Sequence, residues 1–256
     1  MEKAHYHDKD DHSEAYYRTI LSRDADPLTE QVIQYPAQKL LSALGSIGRC
    51  SVIDLVMGLD ITHLIVLLDT CHDITVLNAN AHNAAELEKW RQNKPDALDF
   101  SHAIKKVCDL IGSRERAQEL EVKLRKKMKR ILHCDFTKEN IADPHVLPKV
   151  DCILSVWGLG PVSKDQASYT DNMKKLASLL NVGGKMVMIG GLNASEFTIG
   201  RMKYHTVLRD EKMERMALSA AGCSIKSFQV DASKIPDHHM DNTHVHFTLA
   251  VKEHEV

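Results

Sequence analysis

Short apolar runs of β-type residues alternate with amphipathic segments along most of this chain. That alternation restricts the fold to a mostly parallel sheet flanked by helices. Residues 50–55 read as a buried parallel strand, and 61–68 as the helix that follows. Residues 74–77 are a second strand. Helices are expected over 84–91 and 100–111, the latter with Ser101 as N-cap. A charged helix spans 115–129, with Leu120, Leu124 and Met128 at spacing four. Strands follow at 131–134 and 150–156. Residues 169–180 are amphipathic, and Gly183-Gly184 turns that helix into a strand over 185–189. A helix over 211–221 stops at Gly222, and strands 224–231 and 244–252 close the chain as a hairpin. The hairpin gives an otherwise parallel sheet an antiparallel edge.

The 256 residues suit one domain over 1–256, with an acidic, His-rich mobile arm at 1–13 and a helical cap at 14–46. In the cap, Val32, Ile33, Leu40, Leu41 and Leu44 keep helical spacing, and Pro36 is a kink or break. A formal net charge of -2 favours neither nucleic acid nor an anionic membrane as partner. The basic run from Lys123 to Arg130 follows Glu115, Glu119 and Glu121, a pattern of helix-surface ion pairs. No apolar run is long enough to span a membrane. The N-terminus lacks an apolar signal core, which implies a cytoplasmic chain, or a secreted one whose leader has been removed. Six scattered cysteines without a CxxC pair read as buried free thiols, and Trp90 and Trp157 as core residues.

Between the first strand and its helix lies Asp54-Leu55-Val56-Met57-Gly58-Leu59-Asp60. A nucleotide-type cofactor loop at this place uses glycines to turn tightly and to let the backbone approach a ligand. Only Gly58 is present, and Val56 and Met57 put bulk where a ligand would lie.

Several further segments have a recognisable order and spacing. They are Glu86-Leu87-Glu88-Lys89-Trp90, Val107-Cys108-Asp109-Leu110, Cys134-Asp135, Asp151-Cys152-Ile153-Leu154-Ser155 and Leu179-Leu180-Asn181-Val182-Gly183-Gly184. Together they resemble the family of nicotinamide, indolethylamine and phenylethanolamine N-methyltransferases, over about residues 14–252. The resemblance implies a class I S-adenosylmethionine-dependent methyltransferase-like (Rossmann-like) fold: a seven-stranded, mostly parallel sheet with an N-terminal segment that closes over the substrate.

The resemblance also assigns positions. Asp54 and Gly58 match the family's glycine loop, where Val56 and Met57 stand for a glycine and a serine. Asn78 replaces the acid that holds the ribose hydroxyls, and an amide loses the stronger charge-assisted bonds. Ala79 replaces an aromatic, Asn83 matches a family asparagine, and Asp135-Phe136 keeps the adenine-side pattern, with an alternative role for Asp135 as a turn cap. Tyr16 and Tyr17 match a site-closing tyrosine pair, or simply pack a helix. On the substrate side Gly190-Gly191 stands where an aspartate is expected, Phe197 keeps an aromatic wall, and His205 and Thr206 replace two small hydroxyls.

Methyl transfer to nitrogen needs alignment and a dry pocket more than acid–base side chains. Loss of cofactor contacts therefore matters more than loss of a catalytic group. The substitutions predict a non-catalytic descendant with no catalytic residue and no cofactor, kept as a small-molecule-binding or a structural, self-associating protein. The alternative is an active S-adenosylmethionine-dependent methyltransferase acting on a small amine or pyridine-like substrate. A third reading is zinc or copper held by His244 and His246, which alternate on one strand and share a face.

Overall fold

The computed structural model describes residues 13–24 and 26–256. The arm expected at 1–13 lies outside them except for Ser13, which opens helix α1 (Ser13–Tyr16). A π-helical turn over Tyr17–Leu21 extends that helix. The next helix runs without a break through α2 (Pro27–Thr29), a π turn (Glu30–Gln34) and α3 (Tyr35–Ile47). Its start is a reciprocal cap: Asp26 Oδ1 accepts from Thr29 N at 2.8 Å, and Thr29 Oγ1 from Asp26 N at 3.0 Å. Pro36 cannot donate to the preceding turn, and the helix widens to π geometry just before it.

The sheet follows the alternation read from the sequence. Its parallel strands are β1 (Cys50–Val56), β2 (Cys71–Asn78), β3 (Met128–His133), β4 (Val150–Val156) and β5 (Leu180–Leu192). A two-stranded hairpin, β6 (Glu196–Ile199) and β7 (Met202–His205), follows β5. β8 (Cys223–Ala232) and β9 (His244–Lys252) complete the main sheet in the order β3-β2-β1-β4-β5-β9-β8. β9 runs antiparallel to both β5 and β8. Gly183-Gly184 lies inside β5 and not before it, because β5 already pairs with Val150 through Leu180.

Helices α4 (Ala81–Arg91), α5 (Ser101–Ile111), α6 (Ala117–Lys127), α7 (Gln166–Ser178) and α8 (Glu211–Ala220) flank the sheet. Strand alternation splits the core. Val52 and Val56 pack with α3, α5 and the N-terminal helices, whereas Ile53 and Leu55 pack with α7 and α8. Each fully buried aliphatic side chain in these layers contributes about 1.5–3 kcal/mol. Ser101 is not the N-cap of α5. Phe100 holds that position, and Asp99 Oδ1 accepts from Ser101 N at 2.9 Å. The segment after β1 is a 3-10 helix (Thr62–Leu67), fully buried, in place of the expected α-helix. All six cysteines are free and buried. The acids of α6 pair within the fold: Glu121 receives Trp90 Nε1 at 2.9 Å and Arg125 Nη2 at 2.5 Å. Among the described residues no helix is long and apolar enough to cross a membrane.

Candidate functional site

The C-terminal ends of β1, β2 and β4 meet beneath the N-terminal helices, where open α/β sheets place ligands. Gly58 turns the chain there with φ of 69°. The ring of Tyr16 lies directly on it, so that a Cβ at Gly58 would overlap the ring. Asn78 is buried at the end of β2. Its Nδ2 donates to the Gly58 carbonyl at 2.7 Å, and its Oδ1 accepts from Asn80 N at 2.9 Å. Asn83 is buried in the first turn of α4 and accepts at Oδ1 from Ser13 Oγ at 2.7 Å. Gly58, Asn78 and Asn83 thus each meet a partner from the same chain. Val56, 2% exposed, ends β1 and bridges to Trp157.

Behind the loop sits a buried polar group of four, Asp54, Asp60, Thr62 and His63. His63 Nε2 lies 2.8 Å from Asp54 Oδ2. Asp60 Oδ1 accepts from Thr62 N at 2.9 Å and from Thr62 Oγ1 at 2.6 Å. Burial pushes the Asp60 carboxyl up, against the opposing pull of His63 and Thr62. Burial works against a proton on His63, but Asp54 and Asp60 outweigh it and raise its pKa. This Asp–His pair locks the loop to the 3-10 helix and turns Asp54 inward, away from the cleft surface.

Beside the loop lies an inner chamber of about 50 Å3. Tyr16, Met57, Trp157 and Phe197 wall it with Gly190, Gly191, Thr206 and Arg209. Phe197 stacks on Tyr204 with ring centres 5.4 Å apart. Arg209 is buried beneath, with Nε donating to Glu214 Oε2 at 3.1 Å, and Tyr169 donates its hydroxyl to the same oxygen at 2.7 Å. The neighbouring carboxylate and phenol keep Arg209 charged despite the desolvation that opposes it.

The other end of the cleft is open. Ala79, Cys134, Asp135, Phe136, Thr137, Val162 and Asn172 border a space of about 440 Å3. Asp135 Oδ1 accepts from Thr137 N at 2.9 Å and from Thr137 Oγ1 at 2.6 Å. The Thr137 hydroxyl and amide hold its carboxyl below the ordinary carboxylate range.

Some expected site residues lie elsewhere. Tyr17 is next to Tyr16 on the same helical stretch and so faces another way. It is half-buried, and burial together with Asp99 raises its phenol pKa. His205 turns from the chamber and bonds through Nε2 to the Lys164 carbonyl at 3.0 Å, while Thr206 lines the chamber. His244 and His246 do not make a metal centre. His244 is exposed and bonds Thr243 Oγ1, whereas His246 is buried, stacked on Phe228 and bonded to Thr248 Oγ1. Among the described residues no three His, Cys, Asp or Glu side chains gather as ligands. Trp90 is core, as expected, whereas Trp157 also walls the chamber.

Sequence reading missed His63, Tyr169, Arg209 and Glu214. Only Gly190-Gly191, a gap where a carboxylate was expected, hinted that another charge had moved in.

Residues 1–253 match the NNMT/PNMT/TEMT family. Human nicotinamide N-methyltransferase is 31% identical over 222 residues, covering 86% of this chain and 83% of that protein. Mouse indolethylamine N-methyltransferase is 30% identical over 213 residues, covering 82% and 81%. The CcbJ methyltransferase of Streptomyces caelestis has the same fold, with a TM-score of 0.59 at 10% identity over 99% of this chain and 100% of that one. So has magnesium protoporphyrin IX methyltransferase from Synechocystis PCC 6803 with bound SAM, with a TM-score of 0.55 at 13% identity over 93% and 90%.

Proposed function

Because this chain belongs to the NNMT/PNMT/TEMT family and has the methyltransferase fold, we propose that it is a non-catalytic member whose cofactor site is closed from within. In this reading it is retained to bind a small molecule in the inner chamber. One observation carries the reading. The Tyr16 ring covers Gly58 while the Asn78 amide donates to the Gly58 carbonyl. A cofactor's methionine and ribose parts would need both surfaces. Asn78 has no charge to offer ribose hydroxyls, and its two polar atoms are already satisfied inside the loop.

S-adenosylmethionine therefore does not fit the residues present at this end. To bind, it would have to lift Tyr16 and break the bonds Asn78–Gly58 and Ser13–Asn83. Exposing one large side chain and losing two hydrogen bonds costs about 3–6 kcal/mol. That is a weakening of roughly 10²–10⁴-fold.

A second reading, an active methyltransferase, draws on the open cleft at Asp135 and Phe136. Thermal melting with S-adenosylmethionine and S-adenosylhomocysteine separates the two. The closed reading expects no shift at millimolar ligand. A ligand present at 100 times its Kd stabilises by about 2.7 kcal/mol, and a rise of that order would overturn the proposal. Val56→Gly, Met57→Ser and Asn78→Asp together with Tyr16→Ala should restore binding of S-adenosylhomocysteine.

A further inference from the structure

Glycines stand on both sides of the Arg209 guanidinium. A Cβ at Gly160 would lie 2.6 Å from Nη1, and one at Gly190 would lie 2.5 Å from Nη2. A side chain at either position would push the head group aside. Nε is engaged by Glu214, and the guanidinium carbon lies 5.1 Å from the centre of the Tyr169 ring. Arg209, Gly190 and Thr206 all line the chamber. The planar fork therefore presents its outer nitrogens where the glycines leave room, an arrangement suited to two oxygens of one anion.

Trp157, another residue of the chamber wall, carries a second donor. Trp157 is 7% exposed, and its Nε1 is buried with no partner among the described residues. Indole N–H can only donate, and a buried donor without an acceptor is held at a cost. Trp157 also has φ of 59°, a left-handed backbone that is uncommon outside glycine. Strain and an orphaned donor at one residue suggest a role beyond packing. Thr206 Oγ1 lies 2.7 Å from the position of a Cβ on Gly160, beside the Arg209 head group.

Nothing acidic balances these donors on the chamber side. Among the described residues, none of those lining it is Asp or Glu. Glu214 lies behind Arg209 and already receives both Arg209 and Tyr169. His246, across Gly190, is kept neutral by burial, which lowers its pKa to about 4.

We infer that the inner chamber binds a small monocarboxylate, with its oxygens on the outer nitrogens of Arg209 and Nε1 of Trp157 and its apolar body against Phe197 and Met57. This rests on the ligand-binding reading above and names the class of ligand. An ammonium ligand would meet the guanidinium with no carboxylate between them. The free volume of about 50 Å3 suits a carboxylate on a short apolar body. A ring requires the flexible Met57 thioether to move.

Titration calorimetry of the full chain with benzoate, benzamide and benzylamine tests this, because the three have similar size and different charge. Butyrate against butyramide repeats the test without a ring. Each carboxylate should bind at least about tenfold more tightly than its amide, and benzylamine should give no heat. Trp157→Phe removes the orphaned donor but keeps a ring, and should narrow the carboxylate-to-amide gap. Gly190→Ala displaces Nη2 and should narrow it further. Melting curves of both variants establish that they fold. An amide or amine that binds as well as its acid overturns the anion assignment but leaves a ligand-binding chamber standing. Folded variants with an undiminished gap also overturn the assignment. If none of the probes binds, the ligand-binding reading fails with it. A separate titration with S-adenosylhomocysteine reports on the closed cofactor site alone.

Discussion

At the inner end of the cleft, Gly58, Asn78 and Asn83 are each engaged by the chain itself, through the Tyr16 ring, the Gly58 carbonyl and the Ser13 hydroxyl. At the outer end, Asp135 and Phe136 border about 440 Å3 of open space, and the Asp135 carboxylate accepts from Thr137, two residues on. Partners drawn from far along the chain engage the inner-end side chains, whereas the Asp135 carboxylate at the outer end keeps a local turn. Long-range contacts bury polar groups completely, and any mismatch there is expensive. Local turns at a cleft edge leave water as an alternative partner.

The two ends should therefore differ most in what a substitution costs. Beside the closed loop, Arg209→Leu strands the Glu214 carboxylate in the core and should destabilise by about 3–5 kcal/mol in urea unfolding. Arg209→Leu with Glu214→Leu should recover most of that loss, and a double variant no better than the single one would break the ion-pair explanation. Gly58→Ala should cost about 2–4 kcal/mol, from the left-handed backbone and from displacement of Tyr16. A loss of about 1 kcal/mol or less would mean that Tyr16 is not seated there.

Asn78→Asp replaces a donor to the Gly58 carbonyl with an acceptor and should cost about 1–3 kcal/mol. An unchanged urea midpoint would show that the inner end tolerates the family's acid without being opened first.

Acidity should act on the two ends in opposite directions. The folded pKa of His63 is raised above 6.5, so its contribution is complete below about pH 6.5 and is lost as pH rises through the folded value. Asp135 is lowered from 3.8, so its contribution is present above about pH 3.8 and is lost as pH falls further. Unfolding free energies across pH should lose their alkaline slope in His63→Gln and part of their acid slope in Asp135→Asn. The smallest effect should be Asp135→Asn at neutral pH, below about 1 kcal/mol, since only bonds to Thr137 change. A loss as large as that of Asn78→Asp would erase the distinction between the ends.

The strands were legible because β-strands buried on both faces are nearly continuous apolar runs. Val150–Val156 and His244–Lys252 have the ends that hydropathy alone indicates. The 3-10 segment was less so, since Thr62–Leu67 is buried on all sides and carries no exposed face. Ser101 and the Gly183-Gly184 pair have the chemistry of a cap and a turn, but pairing and Asp99 decided otherwise. At the site, the resemblance pointed to Phe197 and Thr206, which line the chamber, whereas His205, the last residue of β7, bonds the Lys164 carbonyl.

By itself the sequence determined the sheet, its flanking helices, the family and the identity of the altered loop residues. These follow from periodicity and from residue order, which are local properties of the chain. Only the tertiary structure decided what packs against the altered positions. Tyr16 reaches Gly58 across 42 positions, Ser13 reaches Asn83 across 70, and Arg209 fills the space left by Gly160 and Gly190. Contacts at such separations depend on how layers pack, and no spacing along the chain encodes them.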